Sequence, residues 1–185
     1  KGLTMRIVAI RERTVPIGTS MHNAAISFDT MTASAVAVVT DRIVDGEPII
    51  GYAFDSIGRY GKGGLLRERF MPRLLAASPE ALVDPEHGLL DPEACWRVAM
   101  ANEKPGGHGE RPGAIGVLDA AIWDARAKAL GLPLWRVIAQ RYGNTAVASP
   151  EIAVYGSCGH MRNDEGMQAL TDEVKRCRDL GYPLV

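Results

Sequence analysis

Four side chains able to handle charge and protons, Lys104, His108, Glu110 and Arg111, lie within KPGGHGERP, a glycine-rich stretch that leads directly into an almost unbroken apolar run. A lysine in a flexible loop before a helix N-terminus stands beside free backbone N–H groups and the positive end of the helix dipole. Such a place suits a carboxylate or a phosphate. The plainer reading of the same residues is a solvated turn, with His108 exposed and with Glu110 and Arg111 serving the first helical turn; on chemistry alone that reading leads. Two other polar connections, SMHNA at 20–24 and FDSIGRYG at 54–61, adjoin apolar strand-like runs and could converge on the same place.

The remaining candidate motifs carry less. GRYGKGG at 58–64 fits neither the dinucleotide-binding GxGxxG nor the phosphate loop GxxxxGK[ST]. GSCG at 156–159 puts Ser157 and Cys158 after an apolar run, but no evident base and orienting group accompany them, so a loop after a strand is favoured over a nucleophile. Cys95, Cys158 and Cys177 are odd in number and far apart, without a CxxC pair or a histidine at zinc-ligand spacing. That argues against a disulfide scaffold or a zinc module and fits a reducing cytoplasm.

The 185 residues are 46% hydrophobic and 23% charged with a formal net charge of -1, the composition of an ordinary soluble globular protein with no broad basic field. No apolar run approaches the ~20 residues of a membrane span, and the start has no leader-type cleavage site. Neither nucleic acid nor membrane is expected as a partner, and a cytoplasmic location is.

The elements that must position these residues change period along the chain. Met5 to Arg13, Thr32 to Asp41 and Ile49 to Asp55 alternate like strands between turn-rich segments, predicting an antiparallel three-stranded meander. Helices are predicted over 64–77, 92–101, 112–130 and 134–142. In the longest, Ile115, Leu118, Ile122, Ala125 and Ala129 form one stripe that Val117, Ala121 and Trp123 widen, so it is read as a central core helix with Pro112 at its first position and Gly131 and Pro133 closing it. After Gly143, the run EIAVYGSCG reads as a strand, 164–180 as a helix, and YPLV as another apolar start. The fold class is therefore α+β followed by the first turns of an α/β layout. One and a half such units cannot close a parallel sheet, so edges stay unpaired unless more chain or another subunit follows.

This combination resembles the enolase superfamily, in its mandelate racemase and muconate lactonizing enzyme branch. The resemblance rests on GAIGVLDAAIWDARAKALGLPLWRVI, the meander and the two loops; NEKPGGHGERP, GRYGKGGLLRERF and SMHNA resemble the D-tartrate dehydratases of that branch. It implies an α+β capping domain, residues 1–148, built as an antiparallel meander plus a helical bundle. Residues 149–185 would then be the first β/α unit and the start of the second strand of a modified, TIM-like barrel. It further implies a Mg²⁺-dependent dehydratase acting on acid sugars or hydroxy-dicarboxylates, by abstraction of the α-proton and stabilisation of the enediolate, and a homo-oligomer is expected. The catalytic groups and metal ligands are expected beyond Val185, so none is expected within this chain. By motif matching, Asn23 would hydrogen-bond substrate, Lys104 would pair with a substrate carboxylate, and His22 would stand near the same pocket. Two departures bear on specificity: Ile57 stands where those dehydratases carry a polar Asn, and HMRND replaces an expected aromatic-rich segment. The alternative of a different class is a non-catalytic small-molecule-binding or interaction module that retains only the cap.

Overall fold

Strands β3 (Thr32–Val44) and β4 (Glu47–Phe54) form an antiparallel hairpin closed by Asp45 and Gly46, at φ 52° and 83°. Positive φ at both central residues is type I′ geometry, whose twist matches that of the strands it joins. In this computed structural model, which describes residues 4–23, 25–55, 62–104, 109–143, 151–159, 161–162 and 165–184, β1 (Ile7–Pro16) lies on the other side of β3. Asp41 N–H donates to Arg6 O at 3.1 Å near one end of that pair, and the Thr14 and Ser34 hydroxyls meet at 2.8 Å near the other. The start of β1 thus faces the end of β3, and the sheet is the expected meander. β1 starts two residues late and β1 and β3 each end three residues past the expected ends, while β4 starts two residues early and ends one short; a register irregularity lies between Val39 and Ile43.

The helices follow as the sequence period indicates. The 64–77 helix is realised as α1 (Lys62–Leu65), a π-helical turn (Leu66–Phe70) and α2 (Met71–Ala76), after which come a 3-10 turn (Pro79–Ala81), α3 (Pro92–Ala99), α4 (Glu110–Leu130) and α5 (Leu134–Arg141). Asp91 caps α3 by accepting from Glu93 N–H at 3.3 Å. Pro112, expected at the first position of α4, stands at the third. That is equally tolerated, because none of the first four N–H groups has an intrahelical acceptor.

Helix α4 is the core element. Ala114, Ile115, Val117, Leu118, Ala121, Ile122 and Ala125 are buried with Val36, Val38 and Ile49 of the sheet, Leu66 and Phe70 of the π-helical turn and Leu74 of α2. The WDARAK part of the helix is a staple. Asp124 Oδ2 accepts from the backbone N–H of Tyr52 at 2.8 Å and from Lys128 Nζ at 2.6 Å, while Lys128 Nζ also donates to Ile50 O at 2.8 Å. Between these bonds, Gly51 lets the strand lie directly on Ala121 and Ala125. One carboxylate and one ammonium therefore satisfy backbone groups that β4 turns toward the helix.

The chain divides into two compact units, Lys1–Val15 with Thr32–Thr145, and Pro16–Met31 with Ala146–Val185. In the second, β2 (Met21–His22) pairs antiparallel with β5 (Met161–Arg162), and α6 (Met167–Asp179) follows. The sequence did not indicate this pairing: SMHNA was expected to be only a loop. The strand expected at EIAVYGSCG is a correction. Residues 151–159 form no strand, and among the described residues the sheet-like bond there is Gly156 N–H to Leu184 O at 2.9 Å. A ladder needs successive rungs, and one does not make a strand. Ile152, Val154 and Tyr155 are exposed along this segment. No helix among the described residues is long and apolar enough to cross a membrane.

Candidate functional site

Three connections hold the candidate residues, and each is closed at its base. In the second unit, Ile17 N–H donates to Met31 O at 2.9 Å, and the enclosed loop carries β2. The side-chain oxygen of Asn23 accepts from the N–H groups of Ala25 at 2.9 Å and Ile26 at 2.8 Å, and Asn23 N–H donates to Ile26 O at 2.9 Å. That is an Asx turn, so the side-chain acceptor is committed to the backbone and the exposed amide N–H₂ is the end that can reach a ligand. His22 is half-buried and bridges to Ser27.

In the first unit, residues 56–61 are flanked by an ion pair, Lys62 Nζ to Asp55 Oδ2 at 3.0 Å, with Lys62 only 6% exposed and lying against Gly113 of α4. Asp55 Oδ1 accepts from Ser34 N–H at 2.8 Å, which ties the pair to the sheet. A desolvated pair held by further hydrogen bonds fixes geometry more than it adds stability. Ile57, the position expected to alter specificity, lies outside the described residues, as does His108.

Lys104 is exposed and follows Glu103 on the stretch after α3, where Asn102 takes a left-handed conformation at φ 62°. Glu103, which the sequence reading passed over, is the better connected of the two. Its carboxylate meets Arg73 Nη1 at 3.0 Å, Arg111 Nη1 at 3.4 Å and Arg69 Nη1 at 3.6 Å, and its side chain is 8% exposed. Burial pushes its pKa up, but the bond from Arg73, the charge of Arg69 and the bond from Arg111 outweigh this and hold it below the ordinary glutamate value. Arg73 is itself fixed by donating to Ala99 O at 2.6 Å. Only the spacing of Glu103 and Arg111 around PGGHGE signals the cluster in sequence; the arginines from 69 and 73 are brought by the fold. Gly109 precedes α4 at φ 95° and ψ −140°, a region that side-chain-bearing residues avoid, which gives the glycine before the helix its physical reason.

Lys104 belongs to the first unit and His22 and Asn23 to the second. Among the described residues there is no group of three or more His, Cys, Asp or Glu side chains that could hold a metal ion. The described donors therefore do not fit a Mg²⁺ site.

A separate pocket of about 300 Å³ is lined by Pro92, Glu93, Trp96, Arg97, Asp119, Trp123 and Tyr142. Burial raises the Asp119 carboxyl to about 6 against the lowering effect of a hydrogen bond from Trp123. A carboxyl whose folded pKa lies above its unfolded value is protonated in the folded state where the unfolded chain has already ionised. It therefore weakens the fold as pH rises from about 4 to about 6, and the penalty stays in full above that. Asp119→Asn keeps the acceptor for Trp123 and removes the charge. It is expected to raise stability at pH 7 by on the order of 1 kcal/mol, after discounting for partial solvent screening, and to leave it unchanged at pH 3.5. Urea denaturation of both proteins at the two pH values measures this.

No family model matches the chain. It is 27% identical over 161 residues to a D-galactonate dehydratase family member, RspA, of Halomonas elongata, covering 86% of this chain and 35% of that protein. It is 36% identical over 69 residues to a D-mannonate dehydratase of Rhizorhabdus wittichii, covering 37% of this chain and 15% of that protein. The chain thus spans about a third or less of the curated relatives it matches. Among solved structures, a mandelate racemase/muconate lactonizing enzyme-like protein from Rubrobacter xylanophilus superposes with a TM-score of 0.62 at 21% identity, over 98% of this chain and 44% of that one. An enolase from Bradyrhizobium, complexed with magnesium and mandelic acid, superposes with a TM-score of 0.52 at 18% identity, over 99% of this chain and 53% of that one. The antiparallel sheet, the core helix α4 and its WDARAK staple therefore belong to a chain with the fold of about half of a mandelate racemase/muconate lactonizing enzyme-like protein.

Proposed function

We propose that the chain supplies the substrate-specificity cap, residues 1–148, and the first barrel segment, 149–185, of a magnesium-dependent dehydratase of acid sugars or hydroxy-dicarboxylates of the tartrate kind. The observation that carries this reading is the similarity over 86% of the chain to a protein named for D-galactonate dehydration, in a chain of mandelate racemase-like fold. Dehydration of a 2,3-dihydroxy acid removes the α-proton and the β-hydroxyl and yields an enol that becomes a 2-keto acid. In this reading Mg²⁺ is held by barrel carboxylates outside the described residues and supplies charge to the developing oxyanion. The chain's own residues bind: Lys104 pairs with a substrate carboxylate, the Asn23 amide donates to a substrate oxygen, and His22 and Ile57 are the further pocket positions. The cap excludes water from the reacting carbon.

The test is the full-length gene product incubated with Mg²⁺ and a panel of D-galactonate, D-mannonate and D-tartrate, scoring 2-keto acid formation. Turnover of one of them by the full-length product, and none by the 185-residue chain alone, is the expected result. Binding of these acids without turnover by any form would instead favour the non-catalytic module.

Within an active protein, Lys104→Ala is expected to raise KM by the equivalent of about 1.5 to 3 kcal/mol, the worth of a charge-assisted hydrogen bond. Lys104→Arg keeps the charge and changes KM much less. Equal, negligible effects from both would return KPGGHGERP to a solvated turn.

A further inference from the structure

We propose that Glu103 is the positioning residue for Lys104, and that it acts by clamping both ends of the glycine-rich connection to one helix. This rests on the reading of Lys104 as a carboxylate-binding residue. Lys104 is exposed, carries four rotatable carbons and follows a left-handed residue, so nothing in its own side chain fixes where its ammonium points. Its immediate neighbour is fixed on every side. Arg69 and Arg73 reach Glu103 from the π-helical turn and α2, at 3.6 and 3.0 Å, and Arg111 reaches it at 3.4 Å from the first turn of α4, beyond the glycines. Arg73 is in turn held by the Ala99 carbonyl at 2.6 Å, at the end of α3. One carboxylate therefore joins the π-helical turn and α2 to the start of α4 at the residue before the lysine, and its partner Arg73 adds the end of α3. A side chain that is 8% exposed and carries three guanidinium partners is far more than a solvated turn requires.

Charge and position predict opposite signs, which makes the proposal testable. Glu103→Gln deletes a negative charge beside Lys104, so a through-space effect alone would tighten an anionic substrate and lower KM. Loss of the clamp misplaces Lys104 and raises KM instead, by about tenfold, while kcat changes little. The effect must also vanish when Lys104 is already alanine, because a positioning residue has nothing left to position.

The experiment measures KM and kcat of the full-length protein for whichever of D-galactonate, D-mannonate and D-tartrate it turns over, in wild type, Glu103→Gln, Lys104→Ala and the double variant. A raised KM in Glu103→Gln, absent in the Lys104→Ala background, is the expected result. A lowered or unchanged KM in Glu103→Gln, or a rise that persists in the double variant, overturns it while leaving the Lys104 reading intact. If Lys104→Ala itself leaves KM unchanged, the Lys104 reading falls and this proposal falls with it. Should Glu103→Gln fail to fold, Glu103→Asp keeps the charge but is too short to hold all three arginines, and the same cycle applies with a smaller rise.

Discussion

Gly51→Ala is expected to cost about 3 kcal/mol and to abolish the cooperative unfolding transition of the first unit under mild denaturant. An added Cβ would be driven into the Ala121 carbonyl oxygen and would stand 2.7 Å from Ala125 N and 2.8 Å from Ala125 Cβ. All three atoms belong to the α4 backbone or its shortest side chain, so none can swing aside; the strand or the helix must move. Moving either breaks the bonds that cross from strand to helix on each side of the contact, Tyr52 N–H to Asp124 and Lys128 to Ile50 O. By contrast, Gly116→Ala meets nothing within 4 Å and is expected to be neutral or slightly stabilising, as alanine for glycine in a helix usually is. Paired chemical denaturation of the two variants checks both expectations, and comparable stability of the two would contradict the close strand–helix approach.

Arg126→Met should destabilise by about 3 kcal/mol, although Met matches the aliphatic stem in length. Arg126 is 8% exposed, on the core helix, and its guanidinium donates to Asp84 Oδ2 at 2.6 Å and Leu90 O at 2.7 Å. Removing it leaves Asp84 Oδ2 and a buried carbonyl without this donor, and although Asp84 Oδ1 still accepts from His87 N–H, the loss of its cationic partner accounts for most of the cost. Burial pushes the Asp84 pKa up, but the His87 backbone N–H and Arg126 more than offset this and leave it below the ordinary value. A depressed carboxyl contributes stability above its unfolded pKa and loses it as pH falls through the folded one. The gap between wild type and Arg126→Met is therefore expected to narrow below pH 4. A gap that stays constant across pH would assign the loss to packing rather than to the ion pair.

The sequence reading fared best where one chemical preference decides the local structure. The turn-rich segment between the second and third strands holds the hairpin turn, the helix expected from Pro92 starts there, and the apolar residues from Ile115 to Ala125 give α4 its place in the core. It fared worst where a partner distant in sequence decides. Met21 and His22 become a strand only because Arg162 and Met161 are available to pair, and no two-residue segment can announce that. EIAVYGSCG has the alternation of a strand and yet forms none among the described residues, because propensity cannot supply a neighbour. The site shows the same division. Lys104 was found from the glycines around it, whereas Glu103 looked like one more surface charge until Arg69, Arg73 and Arg111 surrounded it.

The β2–β5 pairing has a consequence for the order in which the chain folds. The partners Met21 and Arg162 are separated by about 140 residues of intervening chain, against a two-residue turn for the β3–β4 hairpin. Closing so long a loop costs chain entropy that four short-strand residues cannot recover by themselves, so their pairing waits until the segments on either side are already ordered. The backbone at His22 and Asn23 is then the last part of its unit to acquire its final shape, and in pulsed hydrogen exchange its amides should gain protection after those of the hairpin.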